Sequence, residues 1–184
     1  HLEHRRQRQM CIRDRVNSFA DKFDIGACHQ LDDFMSSEEI DAVYIATPHS
    51  EHFFYALEAI KNGKHVLCEK PFTMNAHESM VLLDLANAKN VFLMEAFMYR
   101  MHPQTRNILD NLNFLLHAKD KIMIEASFGF QADVSVTHRL RNPELGGGAI
   151  LDVGCYPLTM SKLIAGQLQD LSFADPTYLS ATGQ

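Results

Sequence analysis

The sequence predicts an α/β fold: a parallel sheet with helices on both faces, followed by part of an α+β domain. Three observations carry this. The short apolar runs "DAVYIA", "KHVLCE" and "VFLMEA" recur with helix-periodic stretches between them. Runs that are apolar throughout mark strands buried on both faces, and strands alternating with helices imply right-handed parallel βαβ units. After "FMYRMHP" the rhythm changes: "KIMIEASFGF" alternates apolar and more polar positions, as a half-buried strand does.

The elements follow in order. Val16, Phe19, Ala20 and Phe23 recur at i, i+3, i+4 and i+7 and predict the tail of a helix. A short extended piece near Ala27 and Cys28 comes next, then a single helical turn at "LDDFMSS". Beyond the "DAVYIA" strand, Ser50 is placed to cap a helix, Glu51 suits its positive end, and Phe53, Leu57 and Ile60 form its apolar stripe. Asn62-Gly63 ends it. Asn75 with Glu78 reads as a capping box opening a helix to about Ala88. Pro103 suits a helix start, with the helix running to about Leu112. "RNPELGGGAI" is a loop entering a helix over about 149–165. The domains expected are residues 16–102 and 103–184, with 1–15 a foreign or disordered segment because it shows no periodicity.

Composition narrows the class. A chain of 184 residues, 46% hydrophobic and 22% charged, is ordinary for a globular protein. No apolar run reaches the roughly 18 residues of a membrane span, and the basic start lacks the apolar core of a signal peptide. Five Arg against Glu3 and Asp14 leave residues 1–15 at +3, while the whole chain is −6, so the remainder is −9. That body repels phosphate and argues against nucleic acid as a partner. Cys11, Cys28, Cys68 and Cys155 form no C-x-x-C pair and read as free thiols of a cytoplasmic protein.

Ligands of open parallel sheets sit at the carboxyl ends of the strands. Three ends here carry unusual residues: Thr47-Pro48-His49, Glu69-Lys70-Pro71 and Met98-Tyr99-Arg100. Together they point to one cleft. Lys70, stiffened by Pro71 and open to a cis bond, is either a solvated surface group or a cation suited to proton transfer or to steering a hydroxyl. His49 and His52 are spaced as half of a metal site, but no matching ligand pair exists elsewhere, so no metal is expected. Asp152 and Tyr156 stand at i, i+4 on one helix face, and Pro157 kinks that helix unless it lies in the first turn. Tyr156 is either a packed ring tied to a carboxylate or a proton donor and acceptor whose pKa a nearby lysine lowers.

In that order "ATPHSEH", "CEKPF", "EAFMYRMHP" and "LRNPELGGGAILDVGCYPL" resemble the Gfo/Idh/MocA family of NAD(P)-dependent oxidoreductases. Within it they resemble the branch of glucose–fructose oxidoreductase, dihydrodiol dehydrogenases and D-xylose dehydrogenases. The likeness runs from about residue 16 to about 166. It implies a Rossmann-like dinucleotide-binding domain, incomplete here, joined to part of an α+β substrate domain. By this likeness the activity is hydride transfer between NAD or NADP and a hydroxyl or carbonyl carbon of a sugar, polyol or trans-dihydrodiol. Lys70, Tyr156 and Asp152 are the catalytic positions it implies, with Tyr156 where many members carry His. Thr47, Pro48, His49, His52, Glu69, Lys70 and Arg100 are those lining the cofactor.

The resemblance also implies small-molecule substrates, no membrane partner, and a homo-oligomer formed through a C-terminal sheet that this chain lacks. One departure is clear: the nine glycines contain no G-x-G-x-x-G turn. The chain is therefore expected to be an internal fragment. The rival readings are a non-catalytic dinucleotide-binding regulator of the same family and a non-functional fragment.

Overall fold

The computed structural model describes residues 15–115 and 123–167. Helix α1 covers 15–23, and α2 is the short Leu31–Ser36. Then come β1 (Ala42–Ile45), α3 (His52–Lys61), β2 (His65–Glu69), α4 (Ala76–Lys89), β3 (Leu93–Ala96) and α5 (Pro103–Leu115). The chain ends its described part with α6 (Cys155–Gln167), entered through a π-helical turn at Ile150–Gly154.

The three strands form one parallel sheet in the order β1-β2-β3. Val43 pairs with Val66, and Ile45 with Cys68. All four are buried on the same face, against Ala56, Ala59 and Ile60 of α3 and Leu82 and Ala86 of α4. The expectation of helices on both faces is met on one face only among the described residues. Strands laid down in a single direction with right-handed crossovers return both helices over the same side. The opposite face carries Tyr44, 57% exposed.

The apolar stripe of α3 is also rotated from the one predicted. His52, Ala56, Ala59 and Ile60 face the core, with Phe53 and Leu57 on its flank, because small side chains let the helix approach the sheet and α4 closely. Ser50 does not cap α3. His49–Glu51 form a 3₁₀ turn instead, and the Glu51 N–H donates to the Pro48 carbonyl, so backbone closes the entry. Asn75 caps α4 as expected: its side chain accepts from the Glu78 N–H at 3.0 Å, and Glu78 accepts from the Met74 N–H at 3.1 Å. Asn90, at φ +55°, closes that helix.

Two further differences lie in the second half. Residues 123–130 join no strand ladder, contrary to the strand expected at "KIMIEASFGF". A strand exists only with a partner to take its peptide groups, and none is found among the described residues. Residues 116–122, 168–184 and 1–14 lie outside them. The helix expected over 149–165 begins instead as the π-turn, which runs directly into α6, with Pro157 just beyond the junction.

Candidate active site

β2 carries the chain from the buried Cys68 to Glu69 and Lys70 at the sheet's carboxyl edge, and the Lys70–Pro71 peptide is cis. The Lys70 side chain crosses to the second half of the chain. Its Nζ donates to the Asp152 carbonyl and, at 3.1 Å, to Asp152 Oδ1. Only 16% of the lysine side chain and 10% of the aspartate side chain are exposed, so this ion pair is largely removed from water. Arg139 Nη1 lies 3.6 Å from the same Oδ1 and supplies a second, half-exposed cation.

The ring of Tyr156 lies 5.2 Å from Lys70 Nζ. Phe97 meets that ring edge-on at 5.5 Å, and Phe128 lies at 5.2 Å. A cleft of about 210 Å³ opens beside it, lined by Tyr99, Ser127, Phe128, Tyr156 and Met160. Burial is the main cause of a raised Tyr156 pKa, with the Cys155, Glu69 and Asp152 side chains adding to it. This corrects the expectation that lysine lowers it. Desolvation disfavours the phenolate, and the charges that act on it are acidic.

Around the end of β1 the structure separates residues that the sequence grouped. The Thr47 hydroxyl oxygen is buried with no partner among the described residues. Pro48 is exposed. His49 is buried, and its Nδ1 lies 3.0 Å from the Gly146 carbonyl. Burial lowers its pKa, the Gly146 carbonyl opposes, and His52 and Lys70 add to the lowering.

That approach explains the glycines. Gly146, at φ +78°, would bring a Cβ within 2.7 Å of both His49 Cβ and Met74 Sδ, and a Cβ on Gly147 would lie 2.7 Å from the Asn142 backbone. His52 was expected to line the cofactor. Instead it is fully enclosed, with its ring nitrogens 2.8 and 2.9 Å from the Pro71 and Thr47 carbonyls. No metal-binding cluster of His, Cys, Asp and Glu occurs among the described residues.

Glu69 accepts a hydrogen bond from the Tyr44 hydroxyl, whose pKa this bond pushes up to about 12. Arg100 sits in the 3₁₀ turn Met98–Met101 with its guanidinium 5.6 Å from the Phe97 ring. Two participants escaped the sequence reading. Arg139 has no local signal that separates it from Arg141 in "RLRNPELGGG". Glu95 had one, a charge inside an otherwise apolar strand. It accepts from the Phe72 N–H at 2.8 Å, and burial raises its pKa against the pull of that bond, Arg100 and His52.

A parallel sheet whose carboxyl edge gathers a hydroxyl, a lysine and a carboxylate has the ligand-binding geometry of an open α/β protein. The chain belongs to the Gfo/Idh/MocA family: the model of this oxidoreductase family with an NAD-binding Rossmann fold matches residues 7–97. That match begins inside the basic segment read as foreign. A D-xylose 1-dehydrogenase (NADP⁺) of Haloferax volcanii is 33% identical over 83% of this chain and 46% of its own length. A trans-1,2-dihydrobenzene-1,2-diol dehydrogenase of Xenopus tropicalis is 32% identical over 92% of this chain and 51% of its own. The structure of a 3-ketoreductase from Actinomadura kijaniata, solved with NADP and TDP-benzene, superimposes with a TM-score of 0.66 at 28% identity. It covers 83% of this chain and 46% of that one. The chain thus spans about half the length of the curated relatives it matches.

The unpartnered Thr47 hydroxyl and the Lys70 amine, at neighbouring strand ends, are polar groups compatible with a cofactor held at the carboxyl edge of the sheet. Nothing in the sequence supplies the glycine turn that receives pyrophosphate.

Proposed function

We propose that this chain carries the proton-handling face of an NAD(P)-dependent oxidoreductase. The substrate carbon bears a hydroxyl or carbonyl on a sugar, polyol or trans-dihydrodiol. The observation that supports this most is the ion pair of Lys70 with Asp152 beside the Tyr156 ring. A nicotinamide, when bound, supplies the hydride chemistry. Lys70 and Tyr156 hold and pass the proton of the substrate oxygen, and Asp152 keeps Lys70 aimed. Thr47, Pro48, His49, Glu69 and Arg100 are proposed to border the cofactor. Residues 16–102 serve the nucleotide and 103–184 the substrate, whose apolar face the aromatic cleft receives. The names of the xylose and dihydrodiol dehydrogenases support the substrate class.

The test is NAD(P)-linked turnover of pentoses, polyols and cyclic dihydrodiols by the protein carrying this chain. Lys70→Ala is expected to lower kcat by ~10²–10⁴, the usual value of a positioned acid/base group. Near-normal kcat in that variant returns Lys70 to a structural ion pair.

A further inference from the structure

The loop that delivers Lys70 is held by two side chains that reach it from different elements. Pro71 has no N–H, so the peptide groups around it offer the Lys70 and Pro71 carbonyls and the Phe72 N–H. Side chains take the last two. His52, the first residue of α3 and fully enclosed, places Nδ1 2.8 Å from the Pro71 carbonyl and Nε2 2.9 Å from the Thr47 carbonyl. Either neutral tautomer donates to one of these carbonyls, and the doubly protonated ring donates to both. Glu95, on β3, accepts from the Phe72 N–H at 2.8 Å. The loop is therefore tied to α3, to the end of β1 and to β3, while Lys70 itself reaches Asp152, 82 residues away.

We propose that His52 and Glu95 are positioning residues that brace the Lys70–Phe72 loop from two sides and so fix the lysine amine against Asp152. Neither touches the substrate; both act through the backbone on either side of Pro71. His52 spans two strand ends that both carry candidate site residues, Thr47 and Lys70. A displacement of about 1 Å at a reacting group is enough to cost ~10²-fold in rate, so such a brace has chemical consequences.

The role in catalysis rests on the function proposed above, but the geometry is testable without any activity. Reductive methylation of the chain, with each lysine followed by mass spectrometry, reads the accessibility of the Lys70 amine. Lys61, half-exposed, is the fast reference, and Lys64, buried with its Nζ on the Ser37 carbonyl, reports the integrity of the fold. Glu95→Ala and His52→Leu are expected to speed Lys70 labelling by about ten-fold while Lys64 stays protected, the behaviour of a local opening. Glu95→Gln keeps an acceptor for the Phe72 N–H and is expected to retain the protection to within about two-fold.

In turnover assays the same Ala and Leu variants lower kcat and leave the cofactor KM near its original value, and Gln restores most of the kcat. Unchanged Lys70 labelling in Glu95→Ala and His52→Leu overturns the brace. So does simultaneous release of Lys64, which makes these residues general supports of the fold. Lys70 released alone in a protein without dehydrogenase activity supports the brace and removes the proposed function.

Discussion

Removing the Lys70 amine while keeping most of its bulk, as in Lys70→Met, strands the Asp152 carboxylate in a site where only 10% of it meets water. At 3.1 Å and an effective dielectric of about 20, the gross attraction in this pair is about 5 kcal/mol. Much of that offsets the desolvation of both groups. Losing one partner of a fully buried pair costs ~3–5 kcal/mol, because the other charge is left uncompensated. Here Arg139, 3.6 Å from the same oxygen, remains as a partial counter-ion, and the lysine itself is not fully dry. The expected loss is therefore about 2 kcal/mol, below the fully buried range.

Urea unfolding of the chain measures it, and a double-mutant cycle with Asp152→Asn isolates the pairwise part. The bond from Lys70 Nζ to the Asp152 carbonyl survives Asp152→Asn, so it cancels from the coupling. A coupling of about 1 kcal/mol or more is expected, against ~0.3–0.5 kcal/mol for independent sites. Additivity within that smaller range refutes the claim that the two halves of the chain are joined electrostatically at this point.

Other expectations concern single groups. Tyr156→Phe keeps the ring packing and removes the hydroxyl, so kcat falls while NAD(P)H affinity, read by fluorescence titration, stays within about two-fold. The chain alone binds NADH and NADPH weakly in calorimetry because it holds no glycine-rich turn; micromolar affinity would contradict the placement of the cofactor. Gly146→Ala forces a Cβ into His49 and Met74 at a positive φ and lowers the unfolding midpoint by an amount equal to roughly 1–3 kcal/mol; an unchanged midpoint refutes the close approach.

Cys68 is buried, and desolvation with Glu95 and Glu69 nearby pushes its thiol to about 12, so a disulfide reagent near pH 8 modifies the exposed Cys28 first. Because the folded pKa of Cys68 is raised, its contribution to stability is whole below the unfolded value of about 8.5 and declines as pH climbs toward 12. A stability profile flat between pH 9 and about 11 contradicts that linkage.

What could be read from the sequence was what periodicity and local chemistry encode. The runs at Val43, Val66 and Leu93 became the three strands, and Asn75 with Glu78 became a working cap. What could not be read depended on contacts between distant residues. Ser50 has the composition of a cap, yet backbone closes α3 because Pro48 presents its carbonyl to Glu51. Spacing set Asp152 and Tyr156 on one face, but not the π-turn that widens the helix at Ile150–Gly154. The cation beside Tyr156 was anticipated. Its effect was not, because the sign of a pKa shift depends on how deeply that one ring is buried, which distant contacts with Phe97 and Phe128 decide. His52 was read as a ligand contact because its neighbours in the motif suggested one, whereas its enclosure follows from how closely α3 sits on the sheet.

The same geometry explains why the site needs two cations on one carboxylate. For Lys70 to meet a substrate oxygen, its amine must give up part of its hold on Asp152. A carboxylate that is 10% exposed and left alone would oppose that movement by the full cost of an uncompensated charge. Arg139 reaches the same Oδ1 at 3.6 Å from a half-exposed position, so the carboxylate has a second cation beside Lys70. In the proposed reaction Tyr156, whose pKa burial raises, is the group that would donate to the same substrate oxygen. A raised tyrosine, a lysine released at low cost and a resident arginine thus form one arrangement. Each part is legible only once the loop at Gly146 and Gly147 has closed against His49 and brought residues 139–156 over the end of β2.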